Sequence, residues 1–120
     1  MHVISQVFIV LVALLHLYFL WMEMFAWTTV GRKTFRSIPP ELFEPTKVLA
    51  ANQALYNGFL ASGLVWSLCI NEQSWQRGVA SFFLICITIA GFYGAITASR
   101  KIFFAQALPA LIALLSLYLL

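Results

Sequence analysis

The stretch VISQVFIVLVALLHLYFLWMEMFAW, Val3 to Trp27, decides the fold class, because its apolar run is interrupted only by His16 and Glu23 as side chains that can carry charge near neutral pH. A helix that crosses the hydrocarbon core of a bilayer needs roughly 20 apolar residues, and this run is long enough. It has no basic n-region and no small-x-small cleavage site, and it carries a carboxylate, so it reads as a retained span rather than a removable signal peptide. Reading outward, a polar, proline-containing stretch covers Thr28 to Lys47, and Val48 to about Ile70 then holds no charge. Asn71 to Arg77 reads as a short turn, Gly78 to about Ala98 as a third span, and Ile102 to Leu120 as a fourth.

Composition agrees with that division. The 120 residues are 62% hydrophobic, 16% aromatic and 9% charged, with a mean hydropathy of +0.93, whereas soluble domains carry about a quarter charged residues. A water-soluble catalytic domain is excluded, and four spans use nearly the whole length. Four strands could not close a barrel and an open sheet would leave edge groups unsatisfied in lipid, so the spans are helices. The expected fold is an all-α integral membrane four-helix bundle in a single domain, residues 1–120, with helices at about 3–27, 48–70, 78–98 and 102–120. Pro45 falls near the first turn of the second helix, where its missing N–H costs little, while Pro109 lies inside the fourth and is expected to kink it.

The seven Lys and Arg residues exceed the four acids. Without a basic stripe interleaved with aromatics they mark topology rather than nucleic-acid binding. Arg32, Lys33, Arg36 and Lys47 share one side with Arg100 and Lys101, against Arg77 alone on the other. Six to one puts the first and third loops in the cytoplasm and both termini outside it. The expected location is the bacterial cytoplasmic (inner) membrane, multi-pass.

Polar residues inside spans are expensive and so carry information. On the first helix Ser5, His16 and Glu23 fall within about 20° of one another at 100° per residue. Asn52, Gln53, Tyr56 and Asn57 on the second helix, Tyr93 on the third and Gln106 on the fourth approach the same cytoplasmic boundary. These spacings point to a polar cavity opening toward the cytoplasm. Its candidate ligand-binding residues are Glu23, His16, Asn52, Gln53, Tyr56, Asn57, Tyr93 and Gln106. Interhelical bridging by Asn and Gln, worth roughly 0.6 to 2 kcal/mol each, is the structural alternative. Glu23 stands apart: no span offers it a Lys or Arg, so it titrates to neutrality, pairs with a cation at the boundary, or meets water.

Several chemistries fail on spacing. His16 and Glu23 are about 10.5 Å apart along the helix, too far to chelate one ion. The Glu-x-x-His pairs of a di-iron bundle are absent, as are phosphate loops, nucleophile elbows and metalloprotease motifs. No metal site is expected, no cofactor is indicated, and Cys69 and Cys86 lie at different depths, which disfavours a disulfide. Ala90, Gly94 and Ala98 recur at four, as do Gly58 and Ser62, a spacing that permits close helix contact. These faces lead to the expectation of a parallel homo-oligomer, dimer or trimer.

Asn52-Gln53-Ala54-Leu55-Tyr56-Asn57-Gly58-Phe59-Leu60-Ala61-Ser62-Gly63-Leu64 resembles the signature of the bacterial domain of unknown function 1304 family. Glu23-Met24-Phe25-Ala26-Trp27 and Gly91-Phe92-Tyr93-Gly94-Ala95-Ile96-Thr97 resemble its other marked segments. The resemblance implies a small four-helix inner-membrane protein and no particular activity. A more distant similarity joins Asn52, Tyr56, Tyr93 and Arg100 to the membrane-associated eicosanoid and glutathione metabolism family. There the arginine one turn before the asparagine is replaced here by Val48, which weakens glutathione binding as a reading. Small multidrug transporters share the four helices and a first-helix glutamate, but the six-to-one charge count disfavours their antiparallel dimers. The functional expectation is binding or transport of a small lipophilic or amphipathic compound. A membrane-embedded enzyme, or a structural or partner-binding membrane subunit, is the alternative.

Overall fold

The computed structural model describes Met1 to Leu120 as helices joined by short connections, without a β-strand. Helix α1 (Val3–Phe25) opens where Nδ1 of His2 accepts the Ile4 N–H at 3.0 Å, satisfying one of the donors that a helix start leaves free. After Ala26 the backbone widens into a π turn, Trp27–Gly31, and a single α turn, α2 (Arg32–Thr34). A 3-10 turn at Pro40–Leu42 leads to α3 (Lys47–Leu68). Helix α4 (Gln73–Thr97) follows, and a second π turn, Phe103–Ala107, runs directly into α5 (Leu108–Leu119).

One local feature differs from the sequence expectation, and a second gives it detail. The segment read as a turn up to Arg77 is helical from Gln73, because the Glu72 carboxylate accepts the Ser74 and Trp75 N–H groups at 3.0 and 2.8 Å and so caps α4 five residues earlier. Around Pro109 the missing N–H is accommodated by the π turn immediately before α5, which relaxes the hydrogen-bond register there.

The long helices meet in the cyclic order α1, α3, α4, α5, with α1 against α3 the most extensive contact. Their buried faces are built largely from small residues. Ala50, Ala54 and Ala61 line α3, Ala80 and Gly91 line α4, and Ala107, Ala110 and Ala113 line the last helix. Larger side chains fill the centre: Ile9, Val12, Leu64, Leu84 and Ile87 are fully buried. Backbones come closest at Gly91, where an added Cβ would stand 2.5 Å from the backbone nitrogen of Ala107; at Gly63 the neighbour, 2.3 Å away, is the Phe83 ring. Helices α1 and α4 are each long and apolar enough to cross a membrane, and Phe103–Leu119 is a shorter apolar helix.

The basic first loop folds back over one end of the assembly. Phe43 is buried, its ring 4.9 Å from that of Trp27. The Trp27 indole N–H donates to Thr46 Oγ1 at 3.0 Å, and Thr46 in turn donates to the Leu42 carbonyl at 2.7 Å. Lys101 Nζ reaches the Thr34 carbonyl at 3.4 Å, so the first and third loops adjoin. Glu44 is held below the usual carboxylate range by its 2.6 Å hydrogen bond from Lys47 at this exposed edge.

Candidate functional site

The stripe of Ser5, His16 and Glu23 faces inward, because α1 presents that side to its neighbours: Ser5 and His16 are buried and Glu23 is half-buried. Each of the last two finds a partner on another helix. His16 Nδ1 lies 2.8 Å from the Val12 carbonyl oxygen. A carbonyl only accepts, so that nitrogen carries the proton. Nε2 is then free to accept the Gln106 amide N–H at 3.1 Å. Both ring nitrogens are thereby committed, and the Phe19 ring stands edge-on 5.1 Å away. Seven residues further along α1, the Glu23 carboxylate accepts a short hydrogen bond from the amide of Asn57 on α3.

Four of the eight expected site residues are thus brought together as two separate pairs. No hydrogen bond joins His16–Gln106 to Glu23–Asn57, and no cation reaches Glu23, the one ion pair in the chain being Lys47 with Glu44. The other four do not converge. Asn52, Gln53 and Tyr56 lie on the outer face of α3, and Tyr93 is 70% exposed on the outer face of α4. No three His, Cys, Asp or Glu side chains approach closely enough to share a metal ion, and both cysteines are free thiols. No hydroxyl or thiol is hydrogen-bonded to His16. The arrangement can therefore hold a carboxyl group and an imidazole in fixed, solvent-poor positions, each with one polar partner.

Two cavities accompany these pairs. An apolar groove of about 500 Å³ runs between α1 and α5, lined among others by Leu11, Leu15, Tyr18, Leu108 and Ile112. Leu15 adjoins His16 in the chain, and Leu108 follows Gln106 by two residues. A smaller polar pocket of about 210 Å³ lies at the opposite end from the basic loops, beside Ser5, Gln76 and Arg77. Reading residues up to Arg77 as a turn concealed this second pocket. Once Glu72 is recognised as a cap, Gln76 and Arg77 fall on the first turns of α4.

The sequence profile of the family described as "Protein of unknown function (DUF1304)" matches residues 10–118. The chain is also similar to "Uncharacterized protein YpaA" of Lactococcus lactis subsp. lactis (strain IL1403), 29% identical over 118 residues that span 97% of this chain and 98% of that protein. No solved structure matches the chain.

Proposed function

Because the chain belongs to the DUF1304 family, whose description carries no activity, we propose a function from the geometry: a multi-pass protein of the bacterial inner membrane that binds, or carries across, a small lipophilic or amphipathic compound. Membrane placement is supported by the exterior. Large apolar side chains cover the outward faces of all four long helices, among them Leu14, Phe59, Ile89 and Leu115, with Ile96 83% exposed. Only 28% of the most apolar stretch of α1 and 33% of that of α4 is buried. A soluble monomer rarely tolerates contiguous apolar surface beyond a few hundred Å². The long axis of 48 Å matches a bilayer of about 40–45 Å including headgroups. In this placement the basic loops face the cytoplasm, both termini face away from it, and the four long helices form the membrane bundle.

The observation that carries the ligand reading is the groove between α1 and α5. It opens sideways, where a compound dissolved in lipid would arrive, and its volume falls within the range of small-molecule sites. In this reading His16 with Gln106 and Glu23 with Asn57 are the polar pairs that hold the helices behind the groove and toward the cytoplasmic boundary, within reach of a ligand only if it displaces one partner. Asn52, Gln53, Tyr56 and Tyr93 face headgroups or a second, parallel copy of the chain. Filling the groove by Leu11→Trp with Ile112→Trp tests it. Small molecules co-purifying with the wild type, read by native mass spectrometry, should be lost from the filled variant while its thermal midpoint is kept. Equal retention by both proteins would refute the groove as the site. A structural subunit is the second reading, favoured by one observation: both polar pairs are already mutually satisfied. It predicts that Glu23→Ala lowers stability and changes no ligand retention.

A further inference from the structure

We propose that the end of the molecule opposite the basic loops binds a phosphate group in a pocket built from the first turns of α1 and α4 and the last turn of α5. This is independent of the groove and of any ligand there. The polar lining consists of His2, Ser5, Gln73, Gln76, Arg77 and Ser116 around about 210 Å³, several times the room a water molecule needs.

The decisive group is Ser5. It is 1% exposed, and its Oγ is the one buried side-chain polar atom in the chain without a hydrogen-bond partner. The other buried serines are all satisfied: Ser67 donates to the Leu64 carbonyl and Ser116 to that of Ala113, each at 2.6 Å, and Ser81 pairs with the Tyr118 hydroxyl. Ser5 is not, and it lies in the wall of the pocket. Beside it Gln76, 8% exposed, makes no side-chain hydrogen bond within the chain.

Charge at this end is unbalanced in the same direction. Arg77 has no carboxylate partner, since Glu72 is committed to the Ser74 and Trp75 amides. The Arg77 guanidinium is instead held over the Tyr118 ring, 5.4 Å from its centroid, and the Tyr118 hydroxyl is fixed by Ser81 at 2.7 Å. His2 uses Nδ1 as acceptor for α1, leaving its Nε2 side as a donor. No Asp or Glu lines the pocket. A serine, a glutamine, a histidine with a free N–H and an arginine in one pocket lining that has no acidic side chain suit an oxyanion with several acceptor oxygens, and a planar guanidinium matches phosphate in particular. The positive ends of the α1 and α4 dipoles add to the same preference, opposed by the negative end of α5 alone.

The phosphate is either inorganic phosphate or the headgroup phosphate of a phospholipid, and one experiment separates them. Protein purified in phosphate-free detergent is titrated with inorganic phosphate against sodium chloride of matched ionic strength, reading the thermal midpoint. In parallel, native mass spectrometry counts lipids retained from vesicles of phosphatidylglycerol or of a phosphate-free galactolipid. Wild type is compared with Ser5→Ala and Arg77→Gln. Loss of a charge-assisted contact should weaken binding about tenfold or more in Arg77→Gln, and Ser5→Ala should weaken it severalfold. Without phosphate, Ser5→Ala should unfold no earlier than wild type, because the unsatisfied hydroxyl is gone. A response to inorganic phosphate identifies the free ion, and variant-sensitive retention of phosphatidylglycerol alone identifies the headgroup. Identical behaviour of wild type and both variants in both arms overturns the site.

Discussion

Replacing Gly91 by alanine measures how tightly α4 meets the last helix. A Cβ at Gly91 would stand 2.5 Å from the Ala107 nitrogen, 2.7 Å from its Cβ and 2.8 Å from its Cα, whereas carbon atoms in contact prefer about 3.5–4.0 Å. Those neighbours belong to the backbone of a π turn and cannot rotate aside, so α4 and the turn must separate by about 1 Å to reach ordinary contact. Overpacking of this kind costs roughly 1–3 kcal/mol, and a backbone obstacle puts Gly91→Ala near the upper end. Against this, alanine regains about 1 kcal/mol over glycine inside a helix. The difference is about 2 kcal/mol, roughly a 30-fold change in the folding equilibrium. Gly78 supplies the control within the same helix, because nothing lies within 4 Å of its added Cβ. Gly78→Ala should keep the propensity gain alone, leaving the two variants about 3 kcal/mol apart. Unfolding followed by circular dichroism in one detergent gives both values. If Gly91→Ala proved as stable as Gly78→Ala, the close approach at Ala107 would be wrong.

Glu23→Gln should retain near wild-type stability, since its amide oxygen can still accept from Asn57. Glu23→Ala leaves that amide buried without a partner and should cost about 1–3 kcal/mol, measured by the same unfolding assay. Nitrogen NMR of labelled His16 should show Nδ1 protonated and Nε2 bare, and Gln106→Leu should shift the Nε2 resonance; the opposite tautomer would break the assignment of both hydrogen bonds. Cysteines placed singly at Ser37 and Ser74, both exposed, test orientation in intact cells. An impermeant thiol reagent should label position 74 and not 37, and the reverse pattern would invert the proposed topology.

The helices themselves were legible because charge punctuates them: Lys47 stands at the start of α3, Glu72 and Arg77 flank the beginning of α4, whose true start at Gln73 the reading from Gly78 missed, and Arg100 and Lys101 lie in the connection after α4. Which side of each helix faces inward was less legible. In a soluble fold the large apolar residues mark the buried face; in this chain they are exposed around every long helix, and small residues mark much of the buried face, as the proposed membrane placement requires. On α3 the buried row of Ala50, Ala54, Asn57, Ala61 and Leu64 recurs at four and three, which places Asn57 inside and leaves Asn52, Gln53 and Tyr56 outside. Equal polarity gave the sequence reading no means to separate them. On α4 the row of Ala90, Gly94 and Ala98 was marked as a contact between copies. Gly94 already meets Ile102 within the chain, while Ala90 and Ala98 remain exposed. The stripe of Ser5, His16 and Glu23 pointed inward as one unit because a single helix carries it, whereas its partners on other helices depend on tertiary packing that spacing alone does not encode.

Two charges in the long helices lack an oppositely charged partner, Glu23 on α1 and Arg77 on α4. They cannot compensate each other. Arg77 shares its pocket with Ser5, which precedes Glu23 by 18 residues of continuous helix, a rise of about 27 Å. Over that distance, even an effective dielectric of about 20 leaves an attraction of only about 0.6 kcal/mol. Each charge must therefore be met locally, and the two ends do so differently. Glu23 has a donor within the fold, the Asn57 amide, so its environment is complete without a ligand. Arg77 is steadied by an aromatic face that supplies no negative charge, beside a serine hydroxyl with no partner at all. The incomplete end is the one at which a bound anion would change the protein most, and the complete end is the one at which removing a side chain would cost most in stability.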